Sequence, residues 1–296
     1  MKEHQHLKVI TLLALRAAIY LGALSTAHSQ AMVAGEDKVN RSGTSGTSIC
    51  EATATPAPLK DALRQVCMRK RSAMAEATVR KAIIIGFVGG FVRRDDANHP
   101  EVQFAAYLRE RYPSGVHAEV FANHEGQQAR RYVLSLLDTN GDGVLTAMEK
   151  EQANVIIYGH SWGASQTVTL ARELGQRGIP VLLTIQVDSI AKPGQKDSTI
   201  SPNVASAINF YQPRGLIHGR STIVAADSTR TKILGNFRMT YRDHRINCDN
   251  YQWFVRVFNK PHHEIENDPG VWDQAAALID SELSNAMSRI QAPPLK

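Results

Sequence analysis

Runs of apolar residues alternate with amphipathic stretches along most of the chain from residue 59 onward. Several of the apolar runs are continuous, as in parallel strands that are buried on both faces. Strand patterns cover residues 81–91, 116–121, 155–158, 181–190, 205–211, 221–225 and 234–241. Helical patterns cover residues 59–80, 101–112, 126–137, 146–152, 166–176 and 271–283. This alternation predicts an α/β fold with a mostly parallel central sheet and helices on both faces.

The most informative break between a strand and a helix lies at residues 155–165, VIIYGHSWGAS. A β-branched run ends at Gly159, Ser161 follows, and a helical pattern begins after Gly163. Glycines two residues before and after a serine let strand and helix pass at a turn sharp enough to project the hydroxyl. The helix N-terminus would then favour negative charge that develops beside the serine. The pattern predicts Ser161 as a nucleophile, with a plain strand–turn–helix junction as the alternative.

Through residues 159–163, GHSWG, and the elements around them, the chain resembles the α/β-hydrolase superfamily over about residues 81–283. The resemblance implies the α/β-hydrolase fold and a catalytic triad in the chain order serine, acid, histidine. The implied acid is Asp188, at the end of the strand pattern 181–190, with Asp227 as the alternative. The implied base is His263, with His262 as the alternative, in a loop between the last strand and the final helix.

The resemblance also implies an oxyanion hole made of backbone N–H groups. One donor follows the nucleophile and is the N–H of Trp162. The other comes from the loop after the strand pattern 81–91, at Gly90 or Phe91. A tight turn at the top of that strand is the alternative role for the glycine pair Gly89 and Gly90.

A second motif occupies residues 138–149, DTNGDGVLTAME, and resembles the EF-hand calcium loop. Side-chain oxygens stand at loop positions one, three and five, a glycine stands at six, and a carboxylate stands at twelve. The ligands that the resemblance implies are Asp138, Asn140, Asp142, the carbonyl of Val144 and Glu149, with Thr146 positioned to bridge through water. The implied cofactor is therefore Ca²⁺, in a structural role.

The N-terminal part of the chain has the pattern of an export signal. Residues 1–31 combine a basic start, a mostly apolar run over residues 9–24 and small residues after it. Arg16 interrupts the apolar run and argues against a transmembrane helix. Residues 32–58 are rich in Ala, Gly, Ser, Thr and Pro and are predicted to be a flexible linker, which leaves 59–296 as the folded domain. We therefore expect a periplasmic or secreted protein, with an uncleaved disordered tail as the alternative.

Charge and cysteine content narrow the function classes. The net charge of +6 falls to +4 without residues 1–31, and the excess is scattered, so we expect no nucleic-acid partner. In an exported protein a Cys50–Cys67 bridge would leave Cys248 free, although the sequence does not fix the pairing. An aromatic group at 251–258 suits either a buried core or a lid over a substrate.

Together these features predict an exported, esterase- or lipase-like serine hydrolase that cleaves a carboxylic ester of a small molecule or lipid. The alternative is a non-catalytic, calcium-stabilised binding module that has the same fold.

Overall fold

The computed structural model of the chain describes residues 82–249, 251 and 253–291. The predicted signal peptide at 1–31, the predicted linker at 32–58, the predicted helix at 59–80 and the pair Cys50 and Cys67 lie outside the described residues. No described helix is long and apolar enough to cross a membrane.

The core element is a six-stranded sheet in the order β2-β1-β3-β4-β6-β8, with every adjacent pair parallel. Its strands are β1 (Ala82–Val88), β2 (Val116–Ala122), β3 (Asn154–His160), β4 (Val181–Val187), β6 (Val204–Tyr211) and β8 (Lys232–Arg238). Two short strands, β5 (Thr199–Ile200) and β7 (Val224–Ala225), form a separate parallel pair. The helices are α1 (Pro100–Arg111), α2 (Gly126–Leu137), α3 (Ala147–Glu151), α4 (Trp162–Gly175), α5 (Trp253–Glu266) and α6 (Pro269–Gln291).

Helices cover both faces of the sheet, because alternate residues of each strand contribute to different cores. In β1, Ile83 and Ile85 pack with α2 and α4 on one face, whereas Ile84 packs with α1 and α6 on the other. All seven residues of β1 are buried, which explains why its sequence is a continuous apolar run. The predicted α/β architecture, with a mostly parallel central sheet and helices on both faces, is confirmed.

Two elements differ from their sequence patterns. The strand pattern at 221–225 is reduced to the two residues of β7. The predicted loop that holds His262 and His263 is instead part of α5. Asn259, at φ −130° and ψ 23°, breaks α5 into two helical segments, and Pro261 falls in the first turn of the second. Proline is tolerated there, because the N–H that it lacks has no partner in a first helical turn.

Candidate active site

Ser161 lies between β3 and α4 in a backbone conformation that side chains rarely adopt. Its φ is 57° and its ψ is −123°. Asp188, at the end of neighbouring β4, has a φ of 45°, and among the described residues these are the two non-glycine positions with positive φ. Such strained conformations persist where the surrounding structure holds them, and they concentrate at functional sites. The Ser161 N–H donates to the carbonyl of Val187 at 2.9 Å, which ties the two strand ends together.

The glycines around Ser161 are required by close backbone contacts. A Cβ on Gly163 would lie 2.2 Å from the carbonyl oxygen of Phe87 in β1. A Cβ on Gly159 would lie 2.6 Å from the Gly163 carbonyl carbon. The start of α4 therefore packs directly against β1 and β3. A residue larger than glycine does not fit at position 159 or at position 163. The spacing of the two glycines in the sequence follows from this packing.

Asp188 is fully buried and its carboxylate is saturated with hydrogen bonds. Its Oδ1 accepts the N–H of Gly219 at 2.8 Å and that of Gln212 at 3.1 Å. Its Oδ2 accepts the Gln212 side-chain amide at 2.9 Å and faces His262 Nδ1 at 2.6 Å. Burial alone would raise the pKa of Asp188, but the hydrogen bonds from His262 and Gln212 outweigh it and hold the pKa below its usual range.

The histidine in contact with Asp188 is His262, and not the predicted His263. His263 Nδ1 instead faces the Glu266 carboxylate at 3.1 Å, one helical turn further along α5. The reason is the helical form of this segment, in which successive side chains point about 100° apart. Only one of two adjacent histidines on a helix can therefore reach Asp188. The geometry thus places His262, the alternative given from the sequence, against Asp188 in the position that had been predicted for His263.

The environment of His262 keeps its ring neutral at neutral pH. Burial, and then the positive charge of nearby His160, lower the pKa of His262 to about 4 against the raising effect of Asp188. The two imidazole rings are 4.4 Å apart between centroids. Burial would also lower the pKa of His160, but the carboxylates of Glu266 and Glu101 raise it to about 9. A neutral His262 donates from Nδ1 to Asp188, which leaves Nε2 as a proton acceptor.

His160 is adjacent to both Ser161 and His262. Ser161 follows His160 in the chain, and the His262 ring stacks near the His160 ring. Within the described residues the Ser161 hydroxyl makes no hydrogen bond to His262. Catalytic hydrogen bonds are often long before substrate binds. The structure therefore brings Asp188 and His262 into contact, and the Ser161 backbone is hydrogen-bonded to Val187, the residue before Asp188.

Residues 90, 91 and 162, the predicted oxyanion donors, lie around the same turn. A Cβ on Gly89 would lie 2.9 Å from the Ser161 Cβ, so the loop after β1 runs directly beside the serine. Gly90 has a φ of 47°, which suits glycine. Phe91 is 63% exposed and stacks edge-on against Trp162 at 5.5 Å between ring centroids. In the described part of the chain no acceptor engages the N–H of Gly90, Phe91 or Trp162.

The remaining residues that the sequence singled out make other contacts. Asp227 lies in a turn, where its carboxylate accepts hydrogen bonds from the N–H and the hydroxyl of Thr229. His244 is exposed. Cys248 is a buried free thiol. Of the predicted aromatic group, Tyr251 packs against His263 at 4.2 Å between ring centroids.

Hydrogen bonds made by side chains of the EF-hand-like loop, between α2 and α3, hold the loop in its conformation. Asp138 accepts the N–H groups of Gly141 and Gly143, both at 2.8 Å. Asn140 and Asp142 lie side by side, with the Asn140 amide donating to Asp142 at 2.9 Å. Gly141 and Gly143 have φ values of 73° and 80°, which allow the sharp turn. Within the loop, therefore, Asn140 contacts Asp142, while the Asp138 carboxylate binds backbone N–H groups.

The carboxylate of Glu149, at the twelfth position, is hydrogen-bonded to Thr139 and Thr146. One oxygen accepts the N–H and hydroxyl of Thr139 at 2.7 Å, and the other accepts those of Thr146 at 2.9 Å. The contacts to Thr146 form the capping box of α3. These hydrogen bonds lower the pKa of Glu149 to about 2, so the carboxylate is ionised at any ordinary pH. The donor set fits Ca²⁺ if the Glu149 carboxylate turns from Thr139 into the loop. Val144 is exposed, with its carbonyl at the seventh position.

Sequence reasoning missed the group that surrounds the catalytic candidates. Gln212 and Gly219 hold Asp188, and Glu101 and Glu266 flank His160. These residues come from distant parts of the chain, and no spacing rule connects them. One available signal was Pro261, because a proline suited to a first helical turn places the following histidines on a helix.

Comparisons with known proteins give few parallels. No protein-family model and no curated protein matches the chain. Among solved structures, the chain is similar to a novel cutinase-like protein from Cryptococcus sp., with 12% identity and a TM-score of 0.37 over 69% of this chain and 95% of that chain. It is also similar to an iodinated complex of acetyl xylan esterase, with 10% identity and a TM-score of 0.29 over 69% of this chain and 99% of that chain. Both similarities are too remote to assign a function. The function is therefore inferred from the geometry of the site.

Proposed function

We propose that the protein is a serine hydrolase of the α/β-hydrolase type that cleaves a carboxylic ester. Ser161 attacks the carbonyl carbon, and His262 Nε2 takes the proton from the hydroxyl. Asp188 fixes the ring orientation through Nδ1 and stabilises the imidazolium that forms. The observation that carries this proposal is the buried 2.6 Å contact between Asp188 and His262, beside a strained serine at a helix N-terminus.

The oxyanion of the tetrahedral intermediate would lie between the N–H groups of Trp162 and of Gly90 or Phe91. One such donor contributes about 3–4 kcal/mol to transition-state stabilisation in comparable enzymes. His262 returns its proton to the leaving alcohol, and water then repeats the sequence on the acyl-enzyme. The exposed ring of Phe91 beside Trp162 offers an apolar surface for the acyl group of a small-molecule or lipid ester.

The neighbouring histidines provide the experiment. We expect His262→Ala to lower kcat for a nitrophenyl ester by several orders of magnitude, because members of a triad act as a unit. His263→Ala is the matched control, since it removes an adjacent imidazole that does not contact Asp188. If His263→Ala abolishes turnover and His262→Ala does not, the base is His263. If neither variant alters ester turnover, the proposed mechanism is wrong, and the non-catalytic binding module becomes the better account.

Two further features belong to the proposal. The N-terminal signal pattern supports export to the periplasm or the medium. The loop at 138–149 supports a structural calcium site between α2 and α3 through Asp138, Asn140, Asp142, the Val144 carbonyl and Glu149. This site lies just before β3 in the chain, so bound calcium would stabilise the helix pair that leads into the serine turn.

A further inference from the structure

A second group of potential metal ligands lies buried at the start of α1 and the end of α5. It comprises His99, which caps α1, Glu101 in the first turn of α1, and Glu266, the last residue of α5. One nitrogen or carboxylate oxygen from each residue lies within 4.8 Å of the other two. The side chains of His99 and Glu266 are 14% and 3% exposed. This group is separate from the EF-hand-like loop and includes none of Ser161, Asp188 and His262.

In the part of the chain that the structure describes, the Glu101 carboxylate points into this group without a hydrogen-bond partner. The residue is 0% exposed, and within the described residues neither of its carboxylate oxygens has a hydrogen-bond partner. Its ion-pair partner is His160, whose Nδ1 is 3.6 Å from Glu101 Oε1 and also 3.6 Å from Glu266 Oε2, so one imidazole is shared between two carboxylates. An ionised carboxylate in a dry interior is costly unless its charge is paired and its oxygens are hydrogen-bonded or bound to a metal. Asp188 is equally buried, but its two carboxylate oxygens make four hydrogen-bond contacts.

The ligand atoms of the group are close enough together for one metal ion to reach all three. Zinc binds histidine nitrogen and carboxylate oxygen at about 2.0–2.2 Å, so neighbouring ligand atoms in a tetrahedral site are about 3.4 Å apart. His99 Nδ1 and Glu266 Oε1 are 2.8 Å apart. An ion between them would take the place of the proton that they now share. The Asp96 carboxylate, 3.8 Å from the other nitrogen of His99, stands where an outer carboxylate commonly orients a metal-binding histidine.

We propose that His99, Glu101 and Glu266 bind a divalent transition metal ion, with Zn²⁺ as the reference ion. The mixture of an imidazole and two carboxylates selects zinc or manganese over the soft ions that prefer thiolates. The two carboxylates would balance the charge of the ion, and water would complete its coordination. His160, which touches both carboxylates, remains outside the group of three.

The position of the site indicates what the ion does. His99 and Glu101 belong to the start of α1, whereas Glu266 ends the helix that carries His262. An ion bound by all three would fasten these two elements to each other one helical turn from His262. Metal binding of this kind adds directly to folding stability, because the site does not exist in the unfolded chain. The inference therefore concerns stability and does not depend on ester hydrolysis.

The test uses the full chain after chelator treatment and dialysis, in buffer with excess Ca²⁺ so that the loop at 138–149 is occupied. We expect stoichiometric Zn²⁺ binding by calorimetry, a Zn²⁺-dependent rise in Tm, and visible absorption when Co²⁺ replaces Zn²⁺. Glu101→Gln and His99→Gln should each weaken Zn²⁺ binding by more than about 10-fold, since even outer partners of a metal contribute 10–100-fold. Glu149→Gln is the matched control and should retain wild-type Zn²⁺ affinity.

Two results would overturn the proposal. One is the absence of stoichiometric Zn²⁺ or Mn²⁺ binding to the wild-type chain. The group would then be held by hydrogen bonds and ion pairs alone. The other is wild-type Zn²⁺ affinity in His99→Gln and Glu101→Gln, which would place the bound ion elsewhere. If Glu101→Gln does not fold, as judged by circular dichroism, His99→Gln decides the outcome. Ser161→Ala should bind Zn²⁺ like the wild type, which separates this test from that of the hydrolase.

Discussion

Ser161 and Asp188 share an unusual property, because both hold a positive φ without being glycine. Each such conformation costs about 1–3 kcal/mol and needs support from its surroundings. The support is visible here in the Ser161–Val187 hydrogen bond and in the four hydrogen-bond contacts of the Asp188 carboxylate. The strain thus occurs at the two side chains that the proposed mechanism needs at fixed positions, one on each of two adjacent strand ends.

Asp188→Asn tests the role of the buried carboxylate. In the asparagine variant an NH₂ group would replace one of the two carboxylate oxygens and would face the hydrogen-bond donors that now contact Asp188. An NH₂ group facing His262 Nδ1 would favour the tautomer that carries its proton on Nε2, which cannot accept a proton from Ser161. We expect kcat for ester hydrolysis to fall by about 10⁴-fold, as for an equivalent change in a serine protease triad. Asp227→Asn, in an exposed turn, should keep kcat close to the wild-type value. A large loss in Asp227→Asn with little change in Asp188→Asn would move the acid to the later position.

The pKa of His262 gives a pH prediction. His262 accepts a proton only when neutral, so the active fraction falls as pH drops through its pKa. With a pKa of about 4, kcat/KM should stay level from neutral pH to about 5 and decline below that. The charged and titratable groups that face the ring are Asp188, His160 and His263. An acid limb near 6.5, the ordinary value for histidine, would show that the ring is more solvated than its burial implies.

At the scale of elements, the chemistry concentrates where strands end and helices begin. The β3–α4 turn carries Ser161, the end of β4 carries Asp188, and the second segment of α5 carries His262. Because parallel strands end at the same edge of the sheet, residues far apart in the chain converge there. The kink at Asn259 matters for the same reason, since it begins a new helical segment that directs His262 toward Asp188.

Calcium binding is best tested through the loop between α2 and α3. Bound calcium should raise Tm as its concentration increases, because a ligand that binds only the native state stabilises it. Glu149→Gln should weaken that dependence most, since it removes the bidentate ligand at position twelve. The variant also loses part of the α3 capping box, so the quantity to compare is the calcium-dependent change in Tm. A wild-type Tm that does not respond to calcium would leave the loop as a polar turn.

Some of these elements were readable from the sequence and others were not. The buried strands and the turn at Ser161 were predictable because burial on both faces and tight backbone packing leave few residue choices, as at Gly159 and Gly163. The choice between His262 and His263 was not, because it depends on where α5 restarts after Asn259. The environment of Asp188 was also hidden, since Gln212 reaches it across 24 residues of chain.

At the scale of the whole molecule, the sheet separates the two larger hydrophobic cores of the described residues, and the candidate catalytic residues lie along one edge of the sheet. The core with α1 and α6 also contains Ile265, which fixes the end of α5 beside the sheet. Glu266 follows it and contacts His99, at the start of α1. The three residues that we propose as a metal site therefore connect the start of α1 to α5, the helix that carries His262.

The most direct measurement of the central claim is covalent labelling with a fluorophosphonate, followed by mass spectrometry of the digested protein. The account predicts a single phosphonyl adduct on the peptide that contains Ser161, with no adduct in Ser161→Ala and much slower labelling in His262→Ala. His263→Ala should label at the wild-type rate. An unlabelled wild-type protein, or an adduct that persists in Ser161→Ala, would contradict the assignment of Ser161 as the nucleophile.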